Sequence, residues 1–349
     1  MKYPYTVTLT MPDGKRKYYR GKTKKEAEAK RDKDKLLLGN GVNVADESTF
    51  QQVAESWYTL AKEDQLKAKS REIVLTVLTH HIYPKLGNKK VRSIKPADIF
   101  ALMKSTSGYS FSMQKKVLQY TKAVFTFAMD NDMILKNPVI STIKPGGAKP
   151  EEEEALTDSQ CAALLDAVRG TRAFLFVELL LYTGMRRGEA LGLMWKDIDF
   201  AKAEMHVRRS VVFINGNQAG EINPDLKTSN ARRDIPIVPR LLEDLRTAKA
   251  ESKSLYVFSK ADGNFLSHSS LESLWGIVRR RTKDLGFTVH PHQLRHTCIT
   301  RWLENGMDLK EVQYLAGHST ADITMNIYAH YRKTQLLSET AVRMAACQL

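Results

Sequence analysis

Cysteine is scarce in this chain, and its cysteines are poorly placed for pairing. Three occur among 349 residues, Cys161, Cys298 and Cys347, an odd number at spacings that suggest no partners. Disulfide frameworks and zinc sites both need cysteines in paired or clustered positions. The pattern therefore argues against either framework and indicates a reducing compartment.

Long apolar runs are also missing. The opening residues, MKYPYTVTLT, lack the apolar core of a signal peptide. The longest apolar stretch, Ala173 to Tyr182, is interrupted by Glu178. It is much shorter than the roughly 20 residues that a membrane-spanning helix needs. We therefore expect a cytoplasmic protein without a membrane partner.

Acidic residues are outnumbered by basic ones. The chain has 54 Lys and Arg against 39 Asp and Glu, which gives a net charge of +15. Such a surplus indicates a polyanionic partner, because Lys and Arg gain affinity by releasing counterions condensed on nucleic acid. Composition alone leaves two alternatives open, a soluble basic protein and one that binds acidic lipid.

Residues 1–44 form a first, strongly basic segment, with 12 Lys and Arg against 5 Asp and Glu. Tyr5 to Met11 and Lys15 to Arg20 have strand-like composition, and Pro12-Asp13-Gly14 between them is a turn signal. Thr23-Lys24-Lys25-Glu26 predicts a capping box that opens a helix from about Lys24 to Leu37. The segment is interpreted as a small sheet with a helix that contacts DNA, with a solvated surface as the alternative.

Residues 46–143 form a second, helical segment. Apolar residues recur there at helical spacing, as in Phe50, Val53, Trp57 and Leu60. Pro84 is predicted to stop one helix, Pro96 to open the next, and Asn137-Pro138 to end the last. The pattern predicts a helical bundle. Residues 144–154, rich in Pro, Gly and Glu, are predicted to be a linker.

Residues 155–349 form a third, mixed segment. Thr157-Asp158-Ser159-Gln160 predicts a capping box that opens a helix through Val168. Helices bracket a strand-rich stretch from Glu204 to Val238, in which Asn215-Gly216-Asn217 predicts a hairpin turn. The chain is therefore predicted to be multidomain and mainly α, with small β-sheets.

The string His292-Gln-Leu-Arg295-His296 is the most informative in the third segment. Its three basic residues are spaced by three and four, so on a helix they share one face. That face would present imidazole and guanidinium groups together, as suits an oxyanion site. Zinc is a rival interpretation, but Gln293 stands where a zinc hydrolase of this pattern carries glutamate, and Arg295 would repel a cation.

Two glycines precede further basic candidates. Gly184 interrupts an apolar helix just before Arg186, and Gly317-His318 follows another apolar run. Tyr328 lies ten residues beyond His318. Taken alone, each of these residues has an ordinary explanation, as a helix end with exposed arginines or as packing.

Four sequence words nevertheless occur in one order: TGMRRGEALGLMWKDID (183–199), KTSNARRDIPI (227–237), HQLRH (292–296) and LAGHSTADITMNIYAH (315–330). In order and spacing they resemble the tyrosine recombinase family. The second segment resembles the family's core-binding domain, notably in IYPKLGNKKVRSIKPADI (82–99). The first resembles the arm-type DNA-binding domain of integrases from phages and conjugative transposons. The resemblance implies an arm-type domain at 1–44, a core-binding domain at 46–143 and a catalytic domain at 155–349.

The resemblance also implies catalytic roles. Tyr328 would attack the scissile phosphate and form a 3′-phosphotyrosyl link. Arg186 and Arg295 would clamp the non-bridging oxygens, a task suited to planar, permanently charged guanidinium groups. His318 would donate a further hydrogen bond to the phosphate.

Three other residues complete the implied site. His292 would assist proton transfer at the tyrosine. Lys227 would be the general acid on the 5′-oxygen, although its hairpin varies in length and Lys202 is a poorer rival. Glu189, three residues after Arg186, would orient that arginine, with a surface helix position as the alternative.

The resemblance further implies a homotetramer on double-stranded DNA that exchanges strands between two sites without metal, ATP or another cofactor. Its setting would be the bacterial nucleoid, where it integrates and excises a mobile element, with an accessory DNA-bending or excision protein as a possible partner. A tail helix after Tyr328 would pack on its own domain or on a neighbour. The alternatives are a type IB topoisomerase-like enzyme and a DNA-binding regulator without catalysis.

Overall fold

The computed structural model describes residues 4–148, 154–214, 219–224, 232–320 and 324–325. The chain divides into two compact units, residues 1–151 and 152–349. The division falls inside the predicted linker at 144–154, while the three-domain boundaries stay a prediction. None of the described helices combines the length and the apolar character needed to cross a bilayer.

The first unit begins with the predicted hairpin and helix. Strands β1 (Tyr5–Thr10) and β2 (Arg16–Gly21) pair antiparallel, and helix α1 (Lys24–Gly39) follows. The Thr23 side chain caps α1 by accepting from the Glu26 N–H. The predicted reciprocal bond is wrong, because the Glu26 carboxylate accepts from the N–H of Lys22 instead.

The remainder of the first unit is helical, as predicted. Its elements are α2 (Phe50–Ala61), α3 (Ala68–Val77), a π-helical stretch (Leu78–Gly87), α4 (Pro96–Ser105) and α5 (Phe111–Asp130). Their apolar faces form one core, in which the rings of Phe50 and Phe125 lie 5.2 Å apart. Pro96 occupies the first turn of α4, where its missing N–H costs no hydrogen bond.

Two predicted helix ends are wrong. The helix does not stop at Pro84, because the chain widens there into the π-helical stretch, which gives the proline ring room beside the preceding turn. The buried Ile82 and Leu86 hold this stretch in the core. Helix α5 ends at Asp130, well before Asn137-Pro138, because Asp132 adopts a left-handed φ of 56° that turns the chain.

Asp34 connects the hairpin, α1 and the helical bundle. Its buried carboxylate accepts from Lys17 Nζ at 3.0 Å and from Tyr19 Oη at 2.8 Å. On its other side it accepts from Arg92 Nη2 at 3.3 Å. The N-terminal module is thus attached to the bundle by a buried carboxylate as well as by the chain.

The second unit surrounds a separate core. Its helices are α6 (Asp158–Val168), α7 (Phe174–Thr183), α8 (Arg187–Leu191), α9 (Pro239–Glu251), α10 (His268–Arg281), α11 (Pro291–Glu304) and α12 (Leu309–Ala316). The predicted capping box is confirmed: Thr157 and Gln160 exchange both bonds, at 2.9 and 3.2 Å, and α6 ends at Val168.

Two small antiparallel sheets confirm the predicted strand-rich stretch. Strands β3 (Ile198–Asp199), β4 (Glu204–Val207) and β7 (Arg233–Pro236) form a sheet in the order β3-β4-β7. Strands β5 (Ser210–Val212) and β6 (Glu221–Asn223) form the other. The predicted turn at 215–217 lies outside the described residues.

Candidate active site

Helix α7 ends at the glycine that the sequence singled out. Gly184 adopts a left-handed φ of 58°, which favours glycine. A Cβ at this position would lie 3.2 Å from the Trp302 ring. The tight turn leaves the Gly184 carbonyl free for a side chain and brings Arg186 to the start of α8.

Glu189 holds Arg186 in place. Its Oε2 accepts from the Arg186 backbone N–H and its Oε1 from Arg186 Nη1, both at 2.8 Å. Arg186 Nη2 donates to the Gly317 carbonyl, also at 2.8 Å. The Glu189 side chain is 2% exposed and that of Arg186 is 42% exposed. Glu189 is therefore not on the surface, and it orients an arginine that faces solvent.

Arg295 projects from α11 into the interior. Its Nη1 donates to the Gly184 carbonyl at 2.5 Å and its Nη2 to the Ala316 carbonyl at 2.7 Å. These carbonyls lie at the C-terminal ends of α7 and α12, where the partial negative charge of a helix favours a cation. Burial and the nearby Arg186 lower the pKa of Arg295 to about 9, so the group remains charged at neutral pH.

Arg233 joins the cluster although the sequence reasoning did not select it. Its side chain is fully buried, its Nη2 donates to Glu189 Oε2 at 2.8 Å, and its Nε donates to the Leu315 carbonyl at 2.6 Å. A signal was present in the strand, where Arg233 alternates in register with Ile235 and Ile237. Period-two spacing puts such residues on one face, and here that face is buried.

His318 follows the left-handed Gly317 at the end of α12. It is buried, and its Nδ1 lies 2.8 Å from Thr324 Oγ1. Burial and the positive charges of Arg295 and Arg186 lower the pKa of His318 to about 4. The imidazole is therefore neutral at physiological pH.

The other two histidines of the string lie on α11, as predicted. His292 is exposed and close enough to His318 to contribute to the lowering of its pKa. His296 is half-buried one turn further on. Within the described ranges, no three His, Cys, Asp or Glu side chains cluster as ligands for a metal ion. The rival zinc interpretation thus lacks a third ligand in that part of the chain.

Two predicted site residues, Lys227 and Tyr328, lie outside the described residues, as does the predicted tail helix. Their roles stay predictions. The structure does bring together Arg186, Glu189, Arg295 and His318, and His292 lies near them.

The cluster is suited to binding an oxyanion. Three guanidinium groups, of Arg186, Arg233 and Arg295, face a single carboxylate, Glu189. Backbone carbonyls accept hydrogen bonds from all three guanidinium groups, and of the three it is the Arg186 side chain that reaches solvent. Guanidinium groups fixed in advance stabilise charge on phosphate oxygens without reorganising during a reaction.

Comparison with known proteins places this cluster in context. Residues 154–335 match the phage integrase family, and residues 50–143 match the phage integrase central domain. A curated relative, "Tyrosine recombinase XerC-like" of Caldanaerobacter subterraneus subsp. tengcongensis, is 31% identical over 93% of this chain and 92% of its own length.

Solved structures share the fold. The Tn1549 transposon integrase in complex with transposon right end DNA has a TM-score of 0.72 at 24% identity, covering 84% of this chain and 99% of that one. A lambda integrase tetramer bound to a Holliday junction has a TM-score of 0.61 at 17% identity, covering 91% and 96%.

Proposed function

The chain belongs to the phage integrase family, and from that premise we propose how its residues carry out the reaction. It is a tyrosine recombinase, an enzyme of site-specific DNA recombination. Integration and excision of a mobile element, such as a conjugative transposon or prophage, is the task proposed for it. The +15 net charge fits a DNA substrate.

The observation that carries the mechanism is the convergence of Arg186, Arg295 and His318 at the end of α12. A scissile phosphate placed there would have its non-bridging oxygens bound by the two arginines. His318 would add a neutral donor. Negative charge grows on those oxygens during phosphoryl transfer, so groups fixed around them lower the barrier.

Tyr328 is proposed as the nucleophile. Its phenolic oxygen would bond to phosphorus while the bond to the 5′-oxygen breaks, leaving a 3′-phosphotyrosyl link. His292 would accept the phenol proton, and Lys227 would donate a proton to the departing 5′-oxygen. The phosphodiester energy is retained in the link, so a 5′-hydroxyl can reverse the step without metal or ATP.

The wider assembly is also a proposal. A homotetramer would hold two DNA sites and exchange strands in pairs through a Holliday junction, the DNA on which the lambda integrase tetramer was solved. Residues 1–44 would bind arm sites and 46–143 core sites, while 155–349 would carry the chemistry and the tail helix. An accessory DNA-bending or excision protein would set the direction.

The direct test is covalent trapping on nicked suicide DNA that carries the element's ends, with EDTA present. Wild type should form a denaturation-resistant protein–DNA adduct, and Tyr328→Phe should form none, because it lacks the attacking oxygen. Tyr331→Phe, three residues away, is the matched control and should form the adduct normally.

Other outcomes separate the alternatives. An adduct that survives in Tyr328→Phe would assign the nucleophile elsewhere. Binding to authentic ends without any adduct would favour a DNA-binding regulator. Adduct formation and plasmid relaxation without recombinant products from paired sites would favour a topoisomerase-like enzyme.

A further inference from the structure

Arg233 has no role in the reaction proposed above, yet its burial demands an explanation. Its side chain is fully buried against Glu189, which is 2% exposed. Burying two charges costs more desolvation free energy than burying an apolar side chain of similar volume. The guanidinium must therefore be explained by what it contacts rather than by the space it fills.

The first contact is a shared carboxylate. Glu189 Oε1 accepts from Arg186, whereas Oε2 accepts from Arg233 as well as from the Arg186 backbone, all at 2.8 Å. A carboxylate divided between two guanidinium groups neutralises neither completely. Arg186 consequently retains positive charge for a phosphate while its orientation is fixed.

The second contact joins β7 to the end of α12. Arg233 Nε donates to the Leu315 carbonyl at 2.6 Å, and the next residue, Asp234, donates its backbone N–H to Tyr314 Oη at 3.3 Å. Gly317 permits the close approach, since a Cβ there would lie 2.9 Å from Arg233 Nη1. This is the turn that leads into His318.

We propose that Arg233 is a positioning residue of the recombination reaction. One buried guanidinium fixes both the carboxylate that orients Arg186 and the turn that presents His318, so that the two groups meet the same phosphate. The proposal rests on the proposed function, because it assumes that the phosphate of DNA binds at this cluster.

The test compares Arg233→Lys with wild type in single-turnover adduct formation on nicked DNA. Lysine keeps the charge but cannot reproduce the planar fork that reaches Glu189 and Leu315 together. The adduct should form about 10- to 100-fold more slowly, the scale expected when a stabilising group is misplaced. DNA affinity and the final adduct yield should stay close to wild type. The matched control is Arg232→Lys, the same change on the exposed neighbouring side chain, which should react normally.

A second substrate distinguishes positioning from general stability. Replacing the scissile phosphate by an uncharged methylphosphonate reduces the need for cationic stabilisation of its oxygens. On that substrate the defect of Arg233→Lys should shrink to within a few-fold of wild type. A purely structural role would slow both substrates equally, or would lower the yield of adduct rather than its rate.

The possible failures are distinguishable. No adduct from wild type on either substrate would refute the proposed function itself. Adduct from wild type with equal rates in Arg233→Lys, or equal defects on both substrates, would refute only the role of Arg233. If Arg233→Lys did not fold, as judged by its thermal unfolding transition, Arg233 would be a stability residue and the proposal would be wrong.

Discussion

The surroundings of His318 determine the protonation state of its imidazole. It is buried, it contacts the Thr324 hydroxyl, and it is surrounded by Arg186, Arg233 and Arg295 together with His292. Burial and the neighbouring positive charges disfavour a second proton on the ring. A hydroxyl that donates to Nδ1 leaves the remaining proton on Nε2, from which a neutral imidazole can donate to phosphate.

This environment predicts a pH dependence of stability. The folded pKa of His318 is about 4, below the ordinary 6.5, so the unfolded state binds more protons between those values. The cost of keeping His318 neutral is therefore absent above pH 6.5 and grows as the pH falls toward 4. Relative to wild type, His318→Gln should gain on the order of 3 kcal/mol in the free energy of unfolding between pH 7.5 and pH 4.

The measurement is urea unfolding followed by tryptophan fluorescence across that pH range. Both proteins should carry Trp57→Phe, which leaves Trp195, Trp275 and Trp302 of the second unit as reporters. Parallel stability curves for the two proteins would contradict the burial argument.

Arg233 also shows where reasoning from the sequence stopped. Arg186, Arg295 and His318 were predicted because they lie in motifs that resemble those of the tyrosine recombinase family. The structure brings the three side chains together. Arg233 lies inside one of those motifs, but arginines are ordinarily found at the surface, so the motif alone does not predict its burial. Its burial depends on Glu189 and the end of α12, contacts between residues far apart in the chain.

At the scale of elements, two successive helices are each followed by a glycine in the left-handed conformation, but the two glycines have different surroundings. Gly306 follows α11 with φ of 79° and nothing within 4 Å of an added Cβ. Gly317 follows α12 with φ of 64° and Arg233 within 2.9 Å of that Cβ. Both positions strain an alanine backbone, but only the second one adds a collision inside the site.

Alanine at the two positions should therefore have separable effects. Gly306→Ala should lower stability by about 1 kcal/mol, the usual cost of a left-handed conformation, and leave cleavage unchanged. Gly317→Ala should lower stability further and slow adduct formation at least roughly 10-fold, because Arg233 and His318 must move. Urea unfolding and single-turnover trapping measure the two effects. Equal behaviour of the variants would show that the contact with Arg233 is unimportant.

The helix end at Gly184 and the helix start at Thr157 were predicted correctly, whereas the predicted ends at Pro84 and Asn137-Pro138 were wrong. The end at Gly184 and the start at Thr157 depend on backbone conformation and capping within a few residues, which the sequence specifies directly. The π-helical stretch depends instead on the burial of Ile82 and Leu86 in the bundle. The local sequence includes the proline, but it does not specify the packing of Ile82 and Leu86 that allows the helix to continue beyond Pro84.

At the scale of the whole molecule, residues 1–44 carry nearly half of the net positive charge, with 12 Lys and Arg against 5 Asp and Glu. Lys15, Arg16 and Arg20 lie on β2 or just before it, and all three are exposed. If the N-terminal hairpin contacts DNA as proposed, each phosphate contact adds about 0.9 to the slope of log affinity against log salt concentration.

Replacing those three residues by glutamine should reduce that slope by roughly 2 to 3 on DNA containing arm and core sites. Adduct formation on core sites should be unaffected, because the catalytic cluster lies in the other unit. The same replacement at the exposed Arg279, Arg280 and Arg281 removes equal charge elsewhere. An identical fall in slope for both variants would show that net charge alone, and not the hairpin, determines the effect.

The Asp34 connection gives the first unit a further property. Because the carboxylate joins Lys17 and Tyr19 of the hairpin to Arg92 of the bundle, the two surfaces proposed to bind DNA are held at one separation. Two modules held this way bind simultaneously only when their DNA targets lie at the matching distance, and their affinities then combine. The first unit would therefore select paired DNA sites by their spacing as well as by their sequence.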